Sequence, residues 1–110
     1  CMLIKNNLIN KIGYFDERYF AYQEDSDYCL TAIKNGWKIY FNPDAIVVHH
    51  GGRGGAHYLP FKANFEWHRS YFRYYDKHFA KNYSIFFNLF YYSIMLGKLI
   101  FAQTRLFIKS

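Results

Sequence analysis

The sequence predicts an α/β fold, α+β for this stretch taken by itself, on three observations. An acidic start, an apolar face and a glycine stop mark a helix over 24–36. "WKIYF" and "AIVVHH" read as strands on either side of an Asn-Pro-Asp turn, and a glycine-rich loop then leads into a long helical pattern. Strands and helices in this order fit a sheet covered by helices.

Taken along the chain, "CMLI" reads as the end of a buried strand. "KNNLINKIG" reads as a short helix closed by Gly13, with Leu8, Ile9 and Ile12 inward. An acidic aromatic loop follows. In the helix from Glu24 the acids of the first turn and Lys34 in the last match the helix dipole, Leu30 and Ile33 share the inner face with Cys29, and Gly36 lies just beyond. The β-branched residues of "AIVVHH" suit a buried sheet position beside "WKIYF". "GGRGG", four glycines in five residues at 51–55, fits neither helix nor strand and reads as a loop. Over 59–81 Lys62, Arg69, Arg73 and Lys77 fall on one flank of a helix, and Phe65, Phe72 and Phe79 on another.

The segment 82–110 forms an apolar helical tail. Lys98 is its one formal charge between Asn82 and Thr104, and Ser84, Asn88, Tyr91, Lys98 and Arg105 make a narrow polar stripe. The uncharged run 82–97 is shorter than the roughly 20 residues needed to span a bilayer, so an interfacial or partner-buried helix is expected. Residues 1–81 would then be the site-bearing part.

At 110 residues the chain is 24% aromatic and carries a formal charge of +6, which points to an anionic partner: phosphate, nucleic acid or a lipid surface. Two cysteines, Cys1 and Cys29, make no disulfide framework, which fits a reducing, cytoplasmic setting. With Cys1 first and no initiator Met or signal-like segment, the chain reads as a portion of something longer.

Against that basic background, "YFDERYFAYQEDSDYCL" at 14–30 gathers Asp16, Glu17, Glu24, Asp25 and Asp27 among aromatic rings, which exclude water from carboxylates and shift their pKa values. Glu24 and Asp25 at a helix start are ordinarily capping residues. Their catalytic reading gains from His49 and His50, at the end of a strand and before a glycine loop, where sites form in sheet-and-helix folds. A carboxylate that removes a proton and an imidazole that binds metal or phosphate would converge there. Strand alternation lets only one of the two histidines face a given site. Arg53, between glycine pairs whose N–H groups can approach an anion, is a phosphate-binding candidate, although no Gly-Lys-Ser/Thr follows as in a Walker loop. No Cys-x-x-Cys or His-Glu-x-x-His suggests a closed zinc site, and His57, His68 and His78 carry no assigned role.

The order "IGYFDERYFAYQEDSDYCLTAIKNGWKIYFNPDAIVVHHGG" resembles the carboxy-terminal half of the catalytic domain of family 2 glycosyltransferases, in the bacterial rhamnosyltransferase-like branch. The matching residues are Gly13, Phe15, Asp16, Glu17, Tyr22, Glu24, Asp25, Gly36, Trp37, Pro43 and His49. "RSYFRYYDKHF" at 69–79 is similar to the basic helix that follows in that family. The resemblance implies a GT-A nucleotide-sugar transferase fold followed by helices, of which this chain is the acceptor-side half. It implies Asp25 as the base of an inverting transfer, and His49 at the site of a divalent metal, Mg or Mn, and the donor diphosphate. Asp16, Glu17, Glu24, Tyr22 and Trp37 would lie toward the acceptor. The family's metal-binding Asp-x-Asp and its nucleotide pocket are not found in this stretch, so other metal ligands are expected outside it. Thr31 stands where relatives often carry Arg.

The function so implied is transfer of a sugar from a nucleotide-sugar donor to a glycan or polyprenyl-linked acceptor, in bacterial surface polysaccharide synthesis, at or near the cytoplasmic face of the inner membrane. The competing reading is a non-catalytic membrane-peripheral or protein-interaction module whose acids only cap a helix. A nucleic-acid binder using the basic aromatic helix ranks below both, because no nucleic-acid motif accompanies it.

Overall fold

The computed structural model describes residues 1–50 and 59–109. Helix α1 spans Asn6–Ile12, α2 Glu24–Lys34, α3 Pro60–His78 and α4 Ile85–Lys109, with a single 3₁₀ turn at Ala80–Asn82 between the last two. The stops expected from glycine are present. Gly13 and Gly36 sit at φ +84° and +82°, a region that a Cβ disfavours, and each lies just past its helix.

Helices α1 and α2 pack through Leu8, Tyr28 and Ala32, with Ile4, Ile12 and Trp37 against them. The Tyr28 hydroxyl donates to the Gly13 carbonyl at 3.0 Å, and the Phe15 ring lies 4.8 Å from that of Tyr28. This corrects the expected inner face of α2: Ile33 is exposed and Leu30 half-buried, while Tyr28, Ala32 and Asp27 point inward. Polarity patterning missed it because Tyr28 and Asp27 find polar partners on neighbouring segments, and such partners cannot be read from α2 alone.

Among the described residues there is no strand, in contrast to the three expected. The 37–41 and 45–50 segments run without ladder hydrogen bonds, and Phe41 and Ile46 are each 91% exposed. A strand exists only as one side of a pair, so β-branched composition suits the conformation without supplying the partner. The "GGRGG" loop lies outside the described residues.

Helices α3 and α4 form an antiparallel hairpin. The Tyr75 hydroxyl donates to Asn88 Oδ1 at 2.6 Å, the rings of Tyr75 and Tyr91 stack at 3.8 Å, and Asn88 Nδ2 donates to the Ala80 carbonyl at 2.9 Å. At the far end Gln103 Nε2 donates to the Phe61 carbonyl at 3.0 Å. Asn88 and Tyr91 of the polar stripe therefore face α3, while Phe86, Phe90, Ile94, Phe101 and Phe107 face outward. Met95, 6% exposed, is the buried large apolar residue of α4. The polarity is inverted relative to an ordinary surface helix. Nor does Lys98 interrupt it: α4 runs 25 residues, about 37 Å at 1.5 Å per residue, and is long and apolar enough to cross a membrane by length and composition. The expectation that the apolar segment is too short is corrected accordingly.

The inverted face has a measurable consequence. Asn88→Ala removes two inter-element hydrogen bonds and should cost about 2 kcal/mol in denaturant unfolding. Phe90→Ser, at a position 63% exposed, should stay within about 0.5 kcal/mol of the parent. The reverse ranking would mean that α4 turns its apolar side inward.

Candidate functional site

The acidic aromatic segment is held from both sides. Ser70, almost wholly buried in α3, donates its hydroxyl to the Ala21 carbonyl at 2.8 Å, which pins the loop just before α2. The next two residues, Tyr22 and Gln23, have φ of +67° and +66°. Left-handed backbone is uncommon in non-glycine residues, and two in succession must be held by their surroundings. The turn they make sets Glu24 and Asp25 at the start of α2.

Asp25 is exposed. Its Oδ1 accepts the Ser26 backbone N–H at 2.7 Å, and among the described residues no donor reaches Oδ2, which is left to take a proton. Glu24 differs: its Oε2 is buried without a hydrogen-bond partner. A buried carboxylate oxygen with nothing donating to it is costly, and a ligand hydroxyl is the kind of group that would relieve it. Burial, assisted by the Asp25 charge, pushes the nearby Cys29 thiol up, which disfavours its reactive thiolate. Two cavities flank the turn. One of about 480 Å³ lies between the start of α3 and the end of α4, and another of about 240 Å³ lies between the loop and α3. Tyr22 lines both.

The other expected residues are dispersed. Asp16 is bound by Arg18, whose Nε and Nη2 reach its two oxygens at 2.8 and 2.6 Å, and by Lys77 Nζ at 3.0 Å. It is a structural anion here. Glu17 is exposed and makes no ion pair among the described residues. Trp37 packs on the α1–α2 core and does not line either cavity. His49 is exposed, and no hydrogen bond joins it to Asp25. Arg53 lies outside the described residues. Among those residues no group of three or more His, Cys, Asp or Glu side chains could by itself hold a metal ion, and His49 could supply one ligand only. Of the basic flank, Lys77 and Arg69 are committed to ion pairs, and Lys62 lies over the Phe20 ring at 4.5 Å.

What the sequence did not reveal is the group that positions the site. Asp27, 3% exposed, accepts at Oδ1 from His78 Nε2 at 2.7 Å and from the Tyr19 hydroxyl at 3.2 Å, and at Oδ2 from Lys77 Nζ at 2.7 Å. Lys34 Nζ lies 3.1 Å from His78 Nδ1, and an ammonium can only donate there. His78 is thus held between Lys34 and Asp27, one ring nitrogen to each. Burial opposes the charge on Lys77, but hydrogen bonds to Asp27 and Asp16 outweigh it and raise its pKa. Burial likewise, with the Asp27 charge, raises Tyr19 well above the ordinary tyrosine range. Adjacent residues in "EDSDY" and "DKH" offer no local signal for contacts 50 and 51 positions apart.

Comparison with characterised proteins finds partial similarity to rhamnosyltransferases. Over 50 residues, 46% of this chain, identity is 42% to "N-acetylglucosaminyl-diphospho-decaprenol L-rhamnosyltransferase" of Mycobacterium tuberculosis, in each of two strains. Over 74 residues, 66% of this chain, it is 31% to rhamnosyltransferase WbbL of Escherichia coli K12. The matched stretches cover 16% and 27% of those relatives, so the chain spans well under half of their length. No family model matches the chain, and no solved structure does.

The buried network dictates how stability depends on acid. The Arg18 guanidinium beside Asp16, with Lys77 adding, holds that carboxyl well below its ordinary value of 3.8. A depressed folded value stabilises above the unfolded one and is lost as pH falls through the folded one. The melting temperature should therefore drop progressively below about pH 4, and Asp16→Asn should flatten that limb. Asp27→Ala, which strips His78 Nε2 of its acceptor and half of the Lys77 pairing, should cost on the order of 3 kcal/mol at neutral pH. A loss below about 0.5 kcal/mol, within the range of surface substitutions, would show that the network does not hold the elements together.

Proposed function

We propose that the chain is the acceptor-side part of a glycosyltransferase. On this reading a sugar, rhamnose by similarity, passes from a nucleotide-sugar donor to a glycan or polyprenyl-linked acceptor in bacterial surface polysaccharide synthesis. The observation that carries the proposal is the Tyr22–Gln23 turn. It spends backbone strain to set an exposed carboxylate, Asp25, beside a buried and unpartnered one, Glu24, next to two open cavities. A helix cap needs neither the strain nor the orphaned oxygen. The partial similarity to named rhamnosyltransferases supports the same chemistry.

Asp25 Oδ2 is the group that accepts the proton from an acceptor hydroxyl as that oxygen attacks the anomeric carbon of the donor, with inversion and departure of the nucleoside diphosphate. Glu24 Oε2 accepts a hydrogen bond from the acceptor and orients it, and Tyr22 offers a ring face to a sugar. Mg or Mn, with His49 as one ligand, would need partners beyond those described, and donor recognition likewise.

The outward apolar face of α4 supports a membrane association, which on this reading is with the cytoplasmic face of the inner membrane. A membrane-crossing orientation would drag the ionised side chains of α3, paired along α4 from Phe61 to Tyr75, into hydrocarbon, at roughly 2.5–3.5 kcal/mol each. Lying in the interface, α4 buries its outer rings while α3 stays in water.

In the intact protein, Asp25→Asn should lower turnover by roughly 10²–10⁴-fold, with donor affinity and melting temperature unchanged. Glu24→Gln should act chiefly by raising the acceptor KM. Near-normal transfer by Asp25→Asn would restore the capping reading. For the membrane, Phe86→Ser with Phe90→Ser should abolish co-flotation with anionic liposomes; undiminished flotation would exclude the α4 face.

A further inference from the structure

We infer that the Arg105 end of the cavity between the start of α3 and the end of α4 binds the phosphodiester headgroup of an anionic phospholipid, a lipid that holds the protein at a membrane surface and is not its substrate; this rests on the interfacial reading of α4. The cavity, about 480 Å³, lies at the end of the helix hairpin away from the Ala80–Asn82 turn. Arg105 is exposed, lines the cavity and makes no ion pair among the described residues. No described lining residue is acidic. Asn64, in the same lining, has a side-chain nitrogen that is buried without a hydrogen-bond partner. The terminal torsion of asparagine is broad, so the amide can turn an N–H to the cavity. A guanidinium fork with an amide N–H beside it suits the oxygens of a phosphate.

Charge sets which phosphate. One guanidinium balances the single charge of a phosphodiester, whereas a phosphomonoester carries about −1.5 to −2 at neutral pH and would bring charge that nothing matches. No second cation is at hand in the lining: Lys62 lines the other cavity, over the Phe20 ring at 4.5 Å, and Arg69 pairs with Glu66 at 2.6 Å. Nor does an acidic lining residue await the ammonium of a zwitterionic headgroup, which favours an anionic lipid over phosphatidylcholine. The other wall suits hydrocarbon. Phe101 and Leu106 from α4 and Trp67 from α3 form it, and Trp67 is braced by Tyr71 at 4.3 Å and by the edge of His68 at 4.7 Å between ring centroids. Phe101 is 69% exposed on the outward face of α4, so an acyl chain leaving the cavity runs onto the surface that an interfacial helix buries, roughly 5–10 Å into the headgroup boundary. A tryptophan belongs at that depth. Inorganic phosphate would leave the apolar wall bare, and a neutral hydrocarbon would leave Arg105 and Asn64 unsatisfied. The site uses neither Tyr22 nor the acid pair, so it serves attachment and leaves the reacting groups free.

The test is titration calorimetry of the intact protein in detergent with phosphatidylglycerol, phosphatidylcholine, inorganic phosphate and geranylgeranyl diphosphate. Phosphatidylglycerol should bind saturably, and about tenfold tighter than phosphatidylcholine or inorganic phosphate, the scale of one charge-assisted hydrogen bond. Arg105→Gln should weaken that binding about tenfold. Lys98→Gln removes the same charge from an exposed position of the same helix outside the cavity, and should leave binding within about twofold. Melting temperature controls for folding in both variants. Equal losses in the two would mean general electrostatic attraction and overturn the proposal, as would unchanged binding in Arg105→Gln. Tighter binding of geranylgeranyl diphosphate would make Arg105 a substrate contact and overturn it as well. Liposome flotation separates the site from the reading it rests on. Flotation with no preference for phosphatidylglycerol in detergent removes the lipid site alone, and saturable, Arg105-dependent binding by a protein that does not float upholds the site and removes the interfacial orientation alone.

Discussion

A buried carboxylate that must be fully satisfied is the constraint on which the arrangement depends. Asp27 sits in the first turn of α2, and its two oxygens are met by Tyr19 from the preceding loop and by Lys77 and His78 from the last turn of α3. An ionised group removed from water tolerates few geometries, so the contact fixes the direction of α2 relative to α3 more narrowly than the small Leu8, Tyr28 and Ala32 cluster could. Everything proposed for the acids follows from that orientation. With α2 held at its first turn by Asp27 and the loop held at Ala21 by Ser70, residues 22–23 have to cover the remaining path, and they do so in left-handed backbone.

The local rules of the chain were legible. Glycine stops, acidic helix starts and the long patterns of α3 and α4 need only neighbours three or four positions away, and the helices lie where those patterns put them. What failed was everything that depends on distant partners. The β-branched run near His49 has strand composition and no paired strand among the described residues, because pairing is a property of two segments. Asp27 was one acid in a cluster of five, and His78 one of three histidines without a role, until packing joined them. Glu24 and Asp25 were identifiable as a pair. Their different environments, one oxygen buried and one carboxylate open, were not.

That difference divides labour in a way composition cannot. An open carboxylate is accessible to a reacting hydroxyl, whereas a buried oxygen without a donor is poised to take a hydrogen bond from whatever hydroxyl arrives. Asp16, equally acidic and equally close in sequence, is disqualified by its partners: a carboxyl clamped by Arg18 and Lys77 is held charged far below neutrality and makes a poor proton acceptor. Three neighbouring acids thus have three fates, Asp16 set by the cations that reach it and Glu24 and Asp25 by burial.

The inverted polarity of α4 belongs to the same logic. Asn88 and Tyr91 turn toward α3 because Tyr75 and the Ala80 carbonyl wait there, and a helix with one polar stripe can satisfy it in one direction only. Once the stripe faces inward, the aromatic and branched side chains have nowhere to go but out. A surface of that kind in water would collapse on itself or on another copy, so it needs an apolar neighbour. The cavity opening beside Phe101 supplies the connection between the two environments, since one wall is continuous with the apolar face and the other includes the tyrosine that precedes the acid pair. On the transferase reading proposed above, an acceptor with a water-soluble end and a hydrocarbon end is the one for which that juxtaposition has a use. A fully soluble acceptor would gain nothing from the outward face, and a simple membrane anchor would gain nothing from the strained turn.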